Sequence, residues 1–147
     1  MSNAHKGRRE VMPSGLVIEN PSTMHDPAPL AYSQIAIVPA GARMVFVAGQ
    51  VGGPKKGAFA DQVDEAFSAI ATAMRAAGGD IADVAKLTVY IVDHDRAKHD
   101  ALKAAVKAVF GDRLAPTCTI VPLTQCGTDP EQLVEIEAVG ILAPLAD

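Results

Sequence analysis

Apolar residues recur at spacings of three and four in two segments of the chain, which is the period of an α-helix with one buried face. The first segment spans residues 61–77 and the second spans residues 95–110. Gly78 and Gly79 follow the first segment and Gly111 follows the second. Glycine readily adopts the left-handed backbone that closes a helix, so these positions predict where both helices end.

Six other segments are typical of β-strands. Residues 84–92 alternate, with Leu87, Val89 and Ile91 on one face and Thr88 and Tyr90 on the other. The remaining predicted strands span residues 15–19, 33–38, 44–49, 116–121 and 133–142.

The order of these elements predicts an α+β fold. The strands at 33–38 and 44–49 flank a turn at Pro39-Ala40-Gly41, and we expect them to pair as a hairpin. Two helices can cover only one face of a sheet, so we expect a two-layer sandwich of a six-stranded mixed sheet with both helices on one face. Several strands are apolar on both faces, and this predicts that the uncovered face is buried by self-association.

The length and the N-terminal composition bound the domain organisation. A chain of 147 residues fits one domain. We expect a single domain over residues 15–147 and a flexible segment over residues 1–14. Ser2-Asn3-Ala4 within that segment resembles the scar of a cleaved expression tag, and the polar first ten residues do not form a secretory signal.

Charge and cysteine content narrow the partners and the compartment. The formal net charge of −4 argues against nucleic acid as a partner, because phosphate binding needs clustered cations. No apolar run approaches the length of a membrane span. The two cysteines, Cys118 and Cys126, do not make a disulfide framework, and we expect a cytoplasmic protein.

Four segments resemble, in order, motifs of the reactive intermediate deaminase family, called RidA or YjgF. The family motifs are Pro-Tyr-Ser-Gln, Val-Phe-Val-Ser-Gly-Gln, Leu-x-Asp-Val-Val-Lys-x-Thr-Val-Phe and Ile-Glu-Ile-Glu-Ala. The resemblance covers about residues 30–142. The matching segments are Ala31-Tyr32-Ser33-Gln34, Val45-Phe46-Val47-Ala48-Gly49-Gln50, Ile81-Ala82-Asp83-Val84-Ala85-Lys86-Leu87-Thr88-Val89-Tyr90 and Val134-Glu135-Ile136-Glu137-Ala138.

The resemblance implies a chorismate-mutase-like subunit that assembles into a homotrimer. The sheets would form a central barrel, with ligand clefts between neighbouring subunits. Known members hydrolyse small-molecule enamines and imines to a keto acid and ammonia, and they need no metal or cofactor.

The resemblance also implies a set of site residues. Glu135 corresponds to the carboxylate that holds the attacking water, and Tyr32 to a residue lining the cleft. Cys118 and Thr119 occupy the substrate-binding positions where the family has a carboxylate-clamping arginine and a following hydroxyl residue. A thiol is a weak donor and cannot replace the guanidinium fork. We therefore expect a RidA-like hydrolase of altered specificity, whose ligand is smaller, neutral or anchored differently.

Other interpretations of these residues remain open. Cys118 is either a nucleophile or a small apolar residue lining a pocket, and the sequence shows no Cys-His motif. Asp93-His94-Asp95 and His99 match no metal-binding spacing, and aspartate caps are expected at this strand-to-helix turn.

The missing arginine also leaves the function open. Arg43 and Arg113 are the cations that could replace the clamp from another position. We expect a structural role for Glu137, which lies on the same strand face as Glu135. The alternative to an enzyme is a trimeric protein that binds or senses a small metabolite without turnover.

Overall fold

The computed structural model describes residues 5–52 and 57–146. These residues form two α-helices, α1 (Phe59–Ala76) and α2 (Arg96–Phe110), which confirm the two predicted helices. The Asp95 side chain caps α2 by accepting a hydrogen bond from the backbone N–H of Lys98 at 2.8 Å. Gly111 closes α2 with a positive φ of 64°.

The strands form two sheets instead of the predicted single six-stranded sheet. A three-stranded sheet has the order β1-β2-β3, and a four-stranded sheet has the order β4-β7-β5-β6. Only β5 and β6 run parallel in the second sheet, so it is mixed. The α+β class with two helices on a mixed sheet is confirmed. The strands are β1 (Arg8–Val11), β2 (Val17–Asn20), β3 (Ile35–Ile37), β4 (Arg43–Val51), β5 (Val84–Val92), β6 (Thr117–Leu123) and β7 (Val134–Leu142).

The predicted hairpin between residues 33–38 and 44–49 is wrong. Strand β3 pairs with β2, and β4 pairs with β7 along its length, from Arg43 opposite Leu142 to Val51 opposite Glu135. The physical reason is strand length, because β3 has three residues whereas β7 offers β4 a nine-residue partner. The hydrophobic pattern could not distinguish these partners.

Strand β1 lies in the N-terminal segment 1–14, where no strand was predicted. It pairs with β2, and the Glu10 carboxylate accepts a hydrogen bond from the backbone N–H of Leu114 at 2.8 Å. Met12 follows the strand and is buried. The charged sequence of β1 gives no strand pattern, so only its partners identify it. Residues 2–4, which resemble a tag scar, lie outside the described residues.

The main core lies between the helices and the four-stranded sheet. Phe67 of α1 meets Phe110 of α2 edge-on, with ring centroids 6.3 Å apart. Leu87, Val89 and Ile91 of β5 are buried beneath them, as their alternation predicts. This packing fixes which strand residues face the helices and which face away.

The sheet face opposite the helices carries exposed apolar side chains. Phe46 of β4 is 75% exposed and Met44 is 53% exposed. Val139 of β7 lies with Phe46 along a groove on this face, together with Lys86 and Glu137. We call this surface the outer face.

Candidate functional site

Tyr32 and Cys118 meet at a cavity between α2 and the edge strand β6. Cys118 lies beside Leu87 of β5 and packs against the main core, so its side chain points to the helix side of the sheet. The cavity has a volume of about 220 Å³ and a mostly apolar lining. We call it the α2 pocket; its walls include Tyr32, His99, Leu102, Val106, Cys118 and Ile120.

Backbone contacts fix Tyr32 at this position. A single 3-10 turn (Ala28–Leu30) precedes it, and Ala31 then reverses the chain with a positive φ of 58°. The next residue, Ser33, donates its backbone N–H to the carbonyl oxygen of Pro116 at 3.0 Å, immediately before β6. The structure therefore brings Tyr32 and Cys118 together at one pocket.

The thiol of Cys118 is a poor nucleophile in this environment. Burial raises its pKa to about 11, against a smaller opposing effect from the Lys86 cation. The thiol is therefore protonated at neutral pH, whereas nucleophilic attack requires the thiolate. This favours the interpretation of Cys118 as a pocket-lining residue.

His99 is a pocket residue that the sequence did not identify. Its Nε2 atom is buried without a hydrogen-bond partner among the described residues. Burial lowers the pKa of His99, and the neighbouring His94 and Lys103 lower it further, so the imidazole is neutral at pH 7. Sequence spacing gave no sign of this placement, because it depends on α2 folding across β6.

Thr119 lies on the other side of β6 from the α2 pocket. It pairs with Thr88 of β5 and is exposed. A groove of about 600 Å³ runs along this side and includes Thr119, Lys86 and Met44. Tyr32 and Cys118 border this groove as well as the α2 pocket.

The Glu135 side chain on β7 packs closely against the backbone of β4. It lies opposite Tyr90 of β5 and is half-buried. The register of β4 shifts between Val47 and Gln50, and this irregularity brings Gly49 against the carboxylate. A Cβ atom on Gly49 would lie 2.7 Å from Cδ of Glu135, which is too close for an unshifted side chain.

The structure does not bring Glu135 and Cys118 together within one chain. Cys118 lies in the same cross-strand row as Leu87 and Ala138, and Glu135 lies three residues from Ala138 along β7. Three residues of a strand span about 10 Å. In addition, Ala138 and Cys118 face the helices, whereas Glu135 faces away. A site that uses both residues must combine two copies of the chain.

Glu137 contacts a neighbouring strand, in keeping with a structural role. The hydroxyl of Tyr90 donates to its Oε1 at a long distance of 3.4 Å. Burial raises the pKa of Tyr90, and the Glu137 and Glu135 carboxylates raise it further. The phenol therefore stays protonated and remains a donor at neutral pH.

The two arginines considered as replacements for the clamp have different surroundings. Arg43 donates through Nε to the carbonyl oxygen of Ala143 at 3.2 Å. Arg113 lies 3.9 Å from a Glu10 carboxylate oxygen and lines a cavity that also includes Tyr32. Arg113 is therefore near the candidate site, although it does not line the α2 pocket.

The described residues include neither a helix that could span a membrane nor a group of three metal-ligating side chains. His94 and His99 lie edge-on with centroids 5.6 Å apart, but no group of three or more metal-ligating side chains occurs in the described part of the chain. Neither α1 nor α2 is long and apolar enough to cross a membrane.

Alkylation tests the state of Cys118. In a Cys126→Ser background we expect iodoacetamide to modify Cys118 roughly a hundredfold more slowly at neutral pH than it modifies an unfolded cysteine, because so little thiolate is present. The rate should rise with pH up to about 11. Mass spectrometry measures the extent of alkylation over time. A rate that stops rising below pH 8 would instead identify an activated thiol.

The raised pKa of Cys118 also predicts the pH dependence of stability. The pKa of Cys118 in the folded protein lies above the unfolded value of 9.0. The contribution of the thiol to the free energy of unfolding is therefore complete below pH 9 and is lost as pH rises towards 11. Cys118→Ala should reduce this loss in urea unfolding experiments at pH 8 and at pH 11. An equally steep loss in the variant would show that Cys118 is not its source.

Gly49→Ala tests the placement of Glu135. The added methyl group requires the carboxylate to move, so activity that depends on Glu135 should fall roughly as far as it does in Glu135→Gln. Gly57→Ala is the control. Its added Cβ atom would lie 3.0 Å from the nearest atom, an oxygen of the exposed and flexible Asp61 side chain. Full activity in Gly49→Ala would contradict the proposed role of this contact.

The fold is that of an α+β protein with two helices on a mixed sheet, and cavities border the edge strand β6. The family model described as Endoribonuclease L-PSP, which represents the YjgF/RidA family, matches residues 23–142. The chain therefore belongs to the YjgF/RidA family.

Solved structures support this assignment. A Rid-family protein of unknown function, YyfB from Yersinia pestis, is 27% identical with a TM-score of 0.76, over 91% of this chain and 98% of that chain. A YjgF/YER057c/UK114 family member from Mycobacterium tuberculosis is 28% identical with a TM-score of 0.59, over 79% and 91%. TdcF from E. coli, solved with bound serine, shares the fold at 24% identity with a TM-score of 0.62, over 78% and 94%. No curated protein matches the sequence.

Proposed function

We propose that the protein is a hydrolase of small enamines, imines or related carbon–nitrogen metabolites. The observation that carries this proposal is the position of Glu135. Its carboxylate is half-buried and packs against the backbone of Gly49, and it lies on the strand that resembles the family motif Ile-Glu-Ile-Glu-Ala. Family membership supports it, while the replacement of the clamp by Cys118 supports altered specificity.

The reaction needs few protein groups because an imine carbon is already electrophilic. A water molecule adds to this carbon while the Glu135 carboxylate accepts one of its protons. When the imine is protonated at nitrogen, this addition gives a neutral carbinolamine. The Glu135 carboxyl gives its proton to the carbinolamine nitrogen, and the C–N bond breaks as the carbonyl forms, with the hydroxyl proton passing to the departing ammonia. Ammonia leaves, and the carboxylate is regenerated. An enamine first takes a proton at carbon to form the imine.

We further propose a homotrimer with sites between its subunits. The exposed Phe46 and Met44 on the outer face support assembly, because burying this apolar surface is favourable. The separation of Glu135 from Cys118 within the chain supports a shared site. In this arrangement one subunit supplies Glu135, while its neighbour supplies Tyr32, Cys118 and Thr119.

Cys118 favours a second candidate function, which is metabolite binding without turnover. A protonated thiol neither fixes a substrate carboxylate nor attacks a carbon atom. A trimer that retains the cleft could then sense or carry a neutral metabolite, with Glu135 as a hydrogen-bond acceptor.

Ammonia release from a panel of enamines and imines separates the two functions. The panel includes 2-aminoacrylate, a longer-chain analogue and an uncharged imine. Glu135→Gln should lower the rate by roughly 10²- to 10⁴-fold, the usual contribution of a general base. Glu137→Gln is the matched control on the same strand face and should retain most activity. If native protein accelerates none of these substrates, the hydrolase proposal fails and ligand binding becomes the better account.

A further inference from the structure

The α2 pocket adjoins a second cavity with a different chemical lining. This cavity has a volume of about 210 Å³ and lies between strand β1, the C-terminal half of α2 and the loop after it. Ala31, Tyr32 and Val106 line both cavities, so the two adjoin along α2, and we call the pair the groove. We call the second cavity the cationic pocket, because Arg8, Lys107 and Arg113 line it.

The cations of this pocket have donors available for a ligand. The side chains of Arg8 and Lys107 make no hydrogen bond or ion pair within the described parts of the chain. Arg113 uses Nη1 to contact the Met12 sulfur at 3.6 Å and a Glu10 oxygen at 3.9 Å. Neither contact engages the rest of the guanidinium fork.

The acids near the pocket do not cancel its charge. Asp112 is the one carboxylate in the lining, against three cations. Glu10 is nearby, but its Oε2 already accepts a short hydrogen bond of 2.8 Å from the backbone of Leu114. A locally positive cavity on a chain of net charge −4 selects an anion.

The other half of the groove selects an apolar group. Leu102, Ile120 and the protonated Cys118 thiol line it, and the imidazole of His99 is neutral at pH 7. Lys103 also lines this half, but its ammonium is paired with Asp100 at 3.1 Å. The groove therefore has an apolar end and a cationic end.

We propose that this groove binds a small organic acid with an unbranched aliphatic body. Its carboxylate lies between Arg8 and Arg113, and its body lies over Cys118 and Ile120. The inference rests on the proposed function only in taking this groove as the ligand site. It names the ligand class as an acid whose carboxylate is anchored away from position 118, where the cysteine offers no clamp.

Three probes separate the two ends of the groove: hexanoate carries both groups, acetate the charge alone, and 1-hexanol the chain alone. Chemical-shift titrations should show hexanoate binding at least roughly tenfold more tightly than either of the others, because only hexanoate uses both ends. Equal affinities for hexanoate and acetate, or for hexanoate and hexanol, would overturn the proposal.

Variants locate the two contacts. Arg8→Gln combined with Arg113→Gln should weaken hexanoate binding roughly tenfold and leave hexanol binding unchanged. The control is Arg75→Gln, an exposed arginine on α1. Leu30→Ser, at an exposed position beside the α2 pocket, should weaken hexanoate but not acetate. Unchanged hexanoate binding in the double arginine variant would contradict the assignment.

Separate controls distinguish a loss of binding from misfolding and from a loss of turnover. Arg113 packs against Met12, so the double variant could misfold. In that case Arg8→Gln and Lys107→Gln are measured as separate single variants. Each should weaken hexanoate binding by at least roughly threefold. Binding is independent of catalysis: hexanoate bound through Arg8 and Arg113 supports this inference even if no substrate is hydrolysed. Turnover of uncharged imines without hexanoate binding would overturn it and leave the proposed function intact.

Discussion

Cys118→Arg is expected to shift the proposed hydrolase from longer acids towards short ones. The α2 pocket beside Cys118, with a volume of about 220 Å³, provides room for the longer side chain. A guanidinium there would bind the carboxylate of a short substrate such as 2-aminoacrylate, and a charge-assisted pair corresponds to a roughly 10- to 100-fold gain in rate. Longer acids should lose activity, because the arginine fills the space for their aliphatic bodies.

The control for this gain is Cys118→Met, which fills the pocket without adding a charge. It should slow the longer acids and give no improvement on 2-aminoacrylate. The ratio of kcat/KM for the two substrates is the measurement, because a general loss of stability lowers both values together. A folded Cys118→Arg protein with an unchanged ratio would show that position 118 does not determine specificity.

Phe46→Lys is expected to abolish both assembly and activity. Phe46 is 75% exposed, so the substitution should change the stability of the isolated subunit little. A lysine on the outer face would instead place a charge in the proposed subunit interface, where desolvation makes it costly. Light scattering should then report a monomer, and hydrolysis should be lost because Glu135 and Cys118 do not meet within one chain.

Leu145→Lys is the matched control, since Leu145 is 72% exposed and follows the end of β7 at Leu142. That variant should remain assembled and active. A Phe46→Lys monomer with native activity would show that a single chain contains the whole site.

The sequence predicted the helices and β5 well because their signals are local. The alternation in 84–92 reproduces the bounds of β5, and the glycines at 78 and 111 mark where α1 and α2 end. Strand β1 was missed because Arg8 and Arg9 resemble a solvated tail until their pairing with β2 is known. The hairpin was predicted wrongly because periodicity identifies strands without specifying partners.

The candidate site also combines features that local sequence predicts with features that depend on long-range packing. Tyr32 and Cys118 were predicted from their motifs, and the structure places them at one pocket. His99 could not be predicted, because its position depends on how α2 crosses β6. The contact between Gly49 and Glu135 was also hidden, since it arises from the register shift in β4. Long-range packing, rather than local chemistry, made these features inaccessible from sequence.

Subunit complementation tests the proposed shared hydrolytic site most directly. One variant carries Glu135→Gln, and the other carries Tyr32→Ala with Cys118→Phe to block the pocket. Each should be inactive when it assembles alone. Mixed in equal amounts, unfolded together and refolded, the two should recover about a quarter of native ammonia release, because random assembly pairs an intact Glu135 with an intact pocket at that frequency. Activity no greater than the sum of the separate variants, despite confirmed mixed assembly, would contradict a site built from two copies.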